Sequence, residues 1–489
     1  MKNKALTVGL CSLVFGLSAA FVLAQEQPPA PSAPRPVKIP QVVEKKLPNG
    51  LTVVTVERKG SPLVAARLMV NVGSASETLQ NAGLASMTAD LITKGTKTRD
   101  ATKIAEDLEF LGADLNTSAG LETTSISLSV TSDKVGPAMA VMADVARNPT
   151  FPQSELDLLK SQKLDELTAG LKSPGVLTSY VASVYSFGAS PAGGTPASLQ
   201  AMTRDQVVGY YKFFTPRSST LFFVGDITPD AAYRIAETNF GTWEDRKNVG
   251  FAVGSGTMTS GSQPIVDRML VIDLPKSGQA SVMYAKKLWG IGHIGPNATI
   301  GKEYFPGVLT NSVLGGGYSS RLNLEIRIKR GLSYGAGSGI SWQPLSSRFS
   351  TRVQTKNESA AEVAELTVDN LRRMAADNAA SSELAARQAS LIGDFDLHLE
   401  TDAELLDVIA DLYANHLSTD ELGRYEKNVN TIDLATMKRF AAENFVGGDM
   451  IIAGDYSVFR DDLKKRFPNT PITVIEADKL DLAKPNLQK

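Results

Sequence analysis

The sequence predicts an α+β protein built from two tandem, homologous domains. A helix end, a turn and a buried strand closed by a Gly-Asp pair occur in the same order twice, first at Gly225-Asp226 and again 229 residues later at Gly454-Asp455. Within each half, segments of strand pattern alternate with segments of helical pattern. A duplicated domain explains this matched order more economically than two unrelated domains that share a helix–strand pattern.

The first strands of each half are close together in the sequence, which favours a mostly antiparallel sheet with helices packed on one face. A hairpin-type Asn-Gly turn precedes a predicted strand at 51–56, and a second strand is predicted at 62–72. In the second half, alternating residues predict a strand at 349–355. A helix is predicted to follow it after an Asn357 cap.

The first 24 residues have the composition of a secretory signal peptide. A basic start at Lys2 and Lys4 precedes an apolar run and a small-residue cleavage site at Ala24. An uncleaved membrane anchor is the alternative, because the run at 5–22 is nearly long enough to span a bilayer. The only cysteine, Cys11, lies in this segment, so disulfides and cysteine-ligated metals are excluded from the mature chain. We expect an exported protein that is soluble in the periplasm after cleavage.

The composition of the connecting segments predicts the remaining domain boundaries. A proline-rich stretch predicts an extended tether before the first domain, and Gly254–Ser262 has the composition of a flexible linker. The predicted organisation is a signal peptide at 1–24, a tether at 25–42, an N-terminal domain at 43–247, a linker at 248–264, a C-terminal domain at 265–475 and a tail at 476–489. A net charge of −2 gives no reason to expect nucleic acid or an anionic membrane as a partner.

The helix at Gly83–Thr96 reads GLASMTADLITKGT. It resembles the zinc-binding helix of the pitrilysin/insulinase/mitochondrial processing peptidase family, whose pattern is close to G-L-A-H-x-x-E-H-x-x-x-K-G-T. The two histidine positions hold Ser86 and Asp90, and the position of the general-base glutamate holds Ala89. Serine is a poor ligand at neutral pH and alanine cannot accept a proton. The resemblance therefore implies the family scaffold without bound metal in this chain.

The resemblance extends from about Asn49 to Phe467 and implies two homologous domains that form a clamshell around a cavity. The family's third zinc ligand, a glutamate on a later helix, aligns with Glu166. One carboxylate cannot replace two imidazoles, so a solvated helix residue is the preferred interpretation of Glu166. A weak site for Mg²⁺ or Ca²⁺ from Ser86, Asp90 and Glu166 is the alternative.

A second family element is intact. Arg327–Tyr334 matches R-x-x-x-G-L-x-Y, and Gly331 allows the left-handed turn between a helix that carries Arg327 and a strand that carries Tyr334. In the family, such a pair donates hydrogen bonds to a substrate carbonyl next to the scissile bond. The alternatives are a surface arginine with a packed tyrosine, and Arg330 in place of Arg327 if the alignment slips.

The resemblance also assigns substrate-binding positions. The segment at 111–116 resembles the strand that pairs with the substrate backbone, which implicates Ala113 and Asn116. The glycine-rich segment at 314–322 resembles the signature of the family's C-terminal domain, which implicates Gly315 and Gly316.

Other motifs do not support a function. Gly290–Gly295 matches G-x-G-x-x-G, but Pro296 follows where a dinucleotide-binding fold needs a helix, so we interpret it as a loop. The three histidines are scattered and show no ligand spacing: His293, His398 and His416.

The expected function is the non-zinc-binding subunit of a periplasmic heterodimeric metallopeptidase. A homologous sister subunit would carry the zinc, and this chain, without a cofactor of its own, would supply Arg327, Tyr334 and half of a peptide cavity. The alternative is a non-enzymatic peptide-binding or scaffold protein of an envelope complex. A homodimer is as compatible with two similar domains as a heterodimer is.

Overall fold

The computed structural model describes residues 39–245, 264–291, 300–377 and 379–489. The predicted signal peptide, most of the tether and nearly all of the predicted linker lie outside these ranges, as do most of the 290–295 loop and His293. The described helices include none that is long and apolar enough to cross a membrane.

Each half of the described chain contains a six-stranded, mostly antiparallel sheet. The first sheet has the order β1-β2-β6-β3-β5-β4, in which only β2 and β6 pair in parallel. Its strands are β1 (Val43–Lys46), β2 (Thr52–Glu57), β3 (Leu63–Val70), β4 (Asp114–Ala119), β5 (Thr124–Thr131) and β6 (Ser219–Gly225).

The second sheet has the order β12-β7-β11-β8-β10-β9, with parallel pairing of β7 to both β11 and β12. Its strands are β7 (Val266–Asp273), β8 (Ala280–Trp289), β9 (Ser333–Ser341), β10 (Ser346–Thr355), β11 (Gly448–Gly454) and β12 (Ile472–Glu476). The two sheets have equivalent central strands, since β6 and β11 each end at the glycine of a repeated Gly-Asp pair. This equivalence and the α+β class confirm the predicted tandem duplication.

Helices follow the same division into halves. The first half contains α1 (Leu84–Leu91), α2 (Ala101–Leu111), α3 (Val135–Arg147), α4 (Gln153–Gly170), α5 (Pro174–Tyr185), α6 (Pro196–Ala201), α7 (Arg204–Tyr211) and α8 (Pro229–Phe240). The second half contains α9 (Tyr304–Gly315), a π-helix (Asn323–Ile328), α10 (Ala360–Ala376), α11 (Ser381–His398), α12 (Asp402–Ala414), α13 (Glu421–Asn430), α14 (Leu434–Asn444) and α15 (Tyr456–Arg466).

The central strands β6 and β11 are buried along their whole length. Their sequences are nearly continuous apolar runs rather than alternating ones, as expected for strands that are covered on both faces. One face of each sheet is covered by helices of the same half, as predicted.

The second face of each sheet is partly covered by a helix from the other half. Helix α5 of the first half packs Leu177 and Val181 against β8 and β11 of the second sheet. Helix α12 of the second half packs Leu405 and Ile409 against β3 and β6 of the first sheet. The two halves therefore exchange one helix each, which the one-face prediction did not include.

One further detail differs from expectation. Asn357 does not cap α10, because Ser359 is the residue before that helix. Instead, the Asn357 amide donates to the Ser277 carbonyl at 2.7 Å and accepts from the Asp455 N–H at 2.9 Å. The C-terminal tail is also integrated into the fold, since Leu487 is buried in the cluster that α5 forms with the second sheet.

Candidate functional site

Helix α1 presents the altered zinc-helix positions on its less buried side. Ala85, Met87 and Ala89 are buried, whereas Ser86 and Asp90 are only partly covered. Ala89 is 1% exposed and carries no group that can accept a proton. The scaffold of this helix therefore presents two polar side chains without a general base between them.

The start of α1 is held by Glu77. Its carboxylate accepts hydrogen bonds from the Gly83 N–H at 2.9 Å and the Ala85 N–H at 2.6 Å. Burial raises the pKa of Glu77 to about 7, against the opposing effect of these backbone donors. Gly83 has φ +86°, and a Cβ on it would lie 2.8 Å from the Gly194 Cα, so glycine is required there.

A lysine on α4 joins the two altered ligand positions. The Lys163 Nζ lies 2.5 Å from the Asp90 Oδ2 and donates a hydrogen bond of 3.2 Å to the Ser86 Oγ. The ammonium thus contacts both side chains that stand where the family has histidines. A cation supplied by the chain itself neutralises Asp90, so this position is electrostatically satisfied without a metal ion.

Glu166 lies one turn further along α4 than Lys163 and is exposed. Its charge is a secondary cause, after burial, of the raised pKa of Tyr180. The described part of the chain holds no group of three or more histidine, cysteine or acidic side chains arranged to bind a metal. The ion pair with Lys163 weighs against the alternative Mg²⁺ or Ca²⁺ site at Asp90, because a cation of the chain already contacts that carboxylate.

The contact between Ser86 and Lys163 has the distance of a serine–lysine hydrolase pair, but its electrostatics do not suit that chemistry. A lysine that acts as a general base must be neutral. Lys163 is instead held in an ion pair with Asp90, 2.5 Å away. The arrangement therefore serves as a structural ion pair rather than as a nucleophile with its base.

The second element, with Arg327 and Tyr334, has the predicted local structure. Arg327 lies in the π-helix, a rare form that is frequent at functional sites. Gly331 has φ +65°, and its N–H donates to the Arg327 carbonyl at 2.9 Å to close the turn. Tyr334 follows on β9 and is 92% exposed, so its hydroxyl is open to a ligand.

The two candidate arginines differ in their partners. Arg330 is bound to Glu325 at 2.8 Å, and Glu325 also binds Lys329 at 2.9 Å. The hydrogen bond from Lys329 and, to a smaller extent, the contact with Arg330 lower the pKa of Glu325. Arg327 has no ion pair with any described residue, and its guanidinium lies over the Tyr318 ring, 5.1 Å from the centroid. The structure therefore favours Arg327 over Arg330 as the arginine that is available to a ligand.

Asn323 connects the parts of this element and was not identified from the sequence. Its amide donates to the Tyr318 carbonyl at 2.6 Å, and its Oδ1 accepts from the Ala336 N–H at 3.3 Å. The ring beneath Arg327 and the strand that carries Tyr334 are thus held by one buried side chain. A single asparagine in an apolar helical pattern gives no sequence signal for this role.

The other predicted substrate-binding positions lie on or beside edge strand β4 of the first sheet and edge strand β9 of the second. Asn116 is on edge strand β4, where its amide binds the Asp114 carboxylate at 2.8 Å, and Ala113 immediately precedes that strand. Gly315 ends α9, and a Cβ there would lie 2.3 Å from the Ser338 nitrogen on β9. A Cβ on Gly316 would lie 2.7 Å from the Ser312 Cα. Packing alone requires both glycines, whether or not they contact a substrate.

Comparison with known proteins identifies the family of both halves. Residues 52–183 match the model of the insulinase family of peptidases, M16, and residues 201–391 match the model of the peptidase M16 inactive domain. Together the two matches cover more than half of the chain.

Relatives from several bacteria match most of the length of this chain. An uncharacterized zinc protease of Mycobacterium bovis is 26% identical over 72% of this chain and 79% of its own length. An uncharacterized zinc protease of Mycobacterium leprae is 25% identical over 82% of this chain and 88% of its own length. One of Rickettsia bellii is 25% identical over 80% of this chain and 92% of its own length.

Solved structures share the fold. A crystal structure described as the peptidase M16 inactive domain from Pseudomonas fluorescens superimposes with a TM-score of 0.73 at 24% identity, covering 85% of this chain and 98% of that one. The crystal structure of a protease from Helicobacter pylori gives a TM-score of 0.76 at 18% identity, covering 85% of this chain and 100% of that one. The chain therefore belongs to the insulinase (M16) family of peptidases, as a homologue whose zinc-helix positions carry serine, alanine and aspartate.

Proposed function

We propose that this chain is the metal-free subunit of a two-chain zinc peptidase, in which Arg327 and Tyr334 act on a peptide held against the zinc of a homologous partner. The observation that supports it most is an asymmetry between the two elements. The former zinc position is neutralised by Lys163, whereas Arg327 lacks an ion pair with the described residues and Tyr334 is exposed.

In the proposed complex, the partner's zinc would polarise the scissile carbonyl and activate water. This chain would contribute two donors, the Arg327 guanidinium and the Tyr334 hydroxyl, directed at a peptide carbonyl oxygen. Such donors stabilise the negative charge that develops on oxygen in the transition state. Stacking on Tyr318 and the hydrogen bonds of Asn323 limit the movement of both donors before the peptide binds.

The test is reconstitution. The purified chain alone is expected to contain no stoichiometric zinc and to cleave no peptide. Addition of a zinc-bearing M16 homologue encoded in the same genome is expected to give cleavage. Arg327→Ala and Tyr334→Phe should then each lower kcat by about 100-fold, the magnitude of losing an oxyanion donor.

Arg330→Gln is the matched control. Because Arg330 is already bound to Glu325, this variant should leave kcat unchanged. Full activity of both the Arg327 and Tyr334 variants would refute the assigned roles. Peptide binding by the mixture without any cleavage would instead support a peptide-binding or scaffold protein.

We further propose that the chain acts in the periplasm after removal of residues 1–24, on the basis of the signal-peptide composition. Amino-terminal sequencing of the protein from its native source should give Gln25 as the first residue. A mature protein that begins at Met1 would support an anchored form.

A further inference from the structure

A cavity that contains two arginines lies on the second sheet beside helix α5. That helix packs chiefly on β8 and β11, so the outer strands β10 and β9 are less covered on this face. The resulting cavity has a volume of about 640 Å³. Its lining includes Ser179 and Ser183 of α5, Arg348 and Arg352 of β10, and Gly339 of β9.

The two arginines of this cavity lack carboxylate partners. On β10 they alternate with the buried residues Phe349, Thr351 and Val353, so their side chains leave the sheet on the cavity face. Among the described residues, neither arginine forms an ion pair within 4 Å or a side-chain hydrogen bond. In the same half, Arg268, Arg321 and Arg439 are each bound to a carboxylate.

Arg348 is the more enclosed of the pair. Its guanidinium lies over the Phe187 ring, 5.3 Å from the centroid. Burial lowers the pKa of Arg348, and the charge of Glu122 only partly opposes this effect. Burial also raises the pKa of Glu122, against the opposing charge of Arg348. A desolvated cation without a close counterion is destabilising unless a ligand supplies the missing charge.

The floor of the cavity is a strand with two glycines. Gly337 and Gly339 of β9 pair with Arg352 and Ser350 of β10. A Cβ on Gly339 would meet nothing within 4 Å, and its backbone is not left-handed, so neither packing nor conformation requires glycine there. Glycine inside a strand often marks a position where another backbone or a ligand approaches closely. Since β9 is an edge strand, one side of its backbone is also unpaired in the described sheet.

We propose that this cavity binds an extended peptide segment that bears an acidic side chain, with the carboxylate between Arg348 and Arg352 and the peptide backbone over the glycines of β9. Guanidinium groups match a carboxylate in shape and charge, and Ser350 offers a further donor, whereas the hydroxyls of Ser179 and Ser183 donate to backbone carbonyls of α5. The volume accommodates several residues rather than a small anion alone. The site requires no partner subunit, so its test is independent of the proposed peptidase role.

The test uses the full mature chain and two eight-residue peptides with an acetylated amino terminus, an amidated carboxyl terminus and an uncharged fluorophore. Both peptides have alternating serine and valine and differ only in a central Glu or Gln. The Glu peptide is expected to bind about 10-fold more tightly in fluorescence anisotropy, because a charge-assisted hydrogen bond is lost in the Gln peptide. The difference should shrink as salt increases.

Substitutions locate the binding to the cavity. Arg348→Gln combined with Arg352→Gln should reduce the affinity for the Glu peptide to that for the Gln peptide. Arg372→Gln is the charge control, since Arg372 lies on α10 and is paired with Asp369. Gly339→Val should fold normally, because its Cβ enters open space, yet should weaken the binding of both peptides. Gly278→Val, in an exposed turn with nothing within 4 Å, is the matched control and should bind as the wild type does.

Three results would overturn the proposal. The first is equal affinity for the two peptides, and the second is a preference for the Glu peptide that persists in the double arginine variant. The third is full competition by inorganic phosphate at concentrations comparable with the peptide, which would make this a small-anion site.

Discussion

The ammonium of Lys163 lies 2.5 Å from the carboxylate of Asp90 and binds Ser86 as well, so one cationic side chain joins the two altered positions of this helix. The contact joins α4 to α1 across 73 residues of sequence. It accounts for an aspartate that would otherwise be a partly buried charge without a partner.

Removal of Lys163 should destabilise the fold. Lys163→Met leaves Asp90 without its cation, and we expect the free energy of unfolding to fall by about 1–2 kcal/mol, since the pair is only partly buried. The measurement is urea denaturation at neutral pH. Addition of Asp90→Asn should recover part of the loss. If the two single losses simply add in the double variant, the pair is not coupled in solution.

Lys163 should also oppose the return of metal binding. Ser86→His with Asp90→His restores the two imidazole positions, and Glu166 is available as a third ligand. We expect zinc to bind at least about 10-fold more tightly when Lys163→Ala is added, because an ammonium between the ligands repels the ion. Chelator competition measures both affinities. Equal zinc affinity with and without Lys163 would show that the lysine moves aside at no cost.

Glu77 should make stability depend on pH. Its pKa is raised from 4.5 to about 7 in the folded protein, so the folded state binds the proton more tightly than the unfolded chain does. Stability from this group is present below about pH 4.5 and is lost as the pH rises through about 7, by up to about 3 kcal/mol. Urea denaturation across this range should show a decline in the wild type.

Glu77→Gln is the comparison for that measurement, because it keeps the shape and one acceptor oxygen but does not titrate. The difference in stability between wild type and variant should change across this pH range. A constant difference would mean that Glu77 has an ordinary pKa in the folded protein.

The exchange of helices should make the two halves unfold together. Leu177 is 2% exposed and packs α5 of the first half on the second sheet. Leu177→Ala should cost about 3 kcal/mol and shift a single calorimetric transition to lower temperature. The neighbouring Val176 is 37% exposed, so Val176→Ala is the matched control with little effect. Two separate transitions, of which only one moves, would show that the halves unfold independently.

Local patterns in the sequence were sufficient to predict much of the secondary structure. The alternation of Phe349, Thr351 and Val353 predicts β10, and the glycine of R-x-x-x-G-L-x-Y predicts the left-handed turn between Arg327 and Tyr334. These features depend on neighbours in the sequence, so they can be identified without the fold. Their predicted contact with a substrate remains a prediction.

Long-range contacts were not predictable in this way. Lys163 lies 77 residues from Ser86 on a helix with many other charged residues, and its spacing gives no signal. An acidic residue at a former ligand position was nevertheless a reason to look for a compensating cation. The helix exchange was also missed, because an apolar stripe on α5 or α12 shows that a face is buried but not which sheet covers it.

Each half of this molecule, taken alone, would leave an apolar sheet surface bare and carry a helix that covers the equivalent surface of the other half. An ancestral polypeptide of half this length would have met that need by pairing with a second copy of itself about a twofold axis. The present chain can therefore be understood as a covalently joined pair of protomers, in which gene fusion left each former protomer free to lose or keep residues independently. Ser86, Ala89 and Asp90 in one half and Arg327 and Tyr334 in the other are the kind of difference between halves that such a fusion permits.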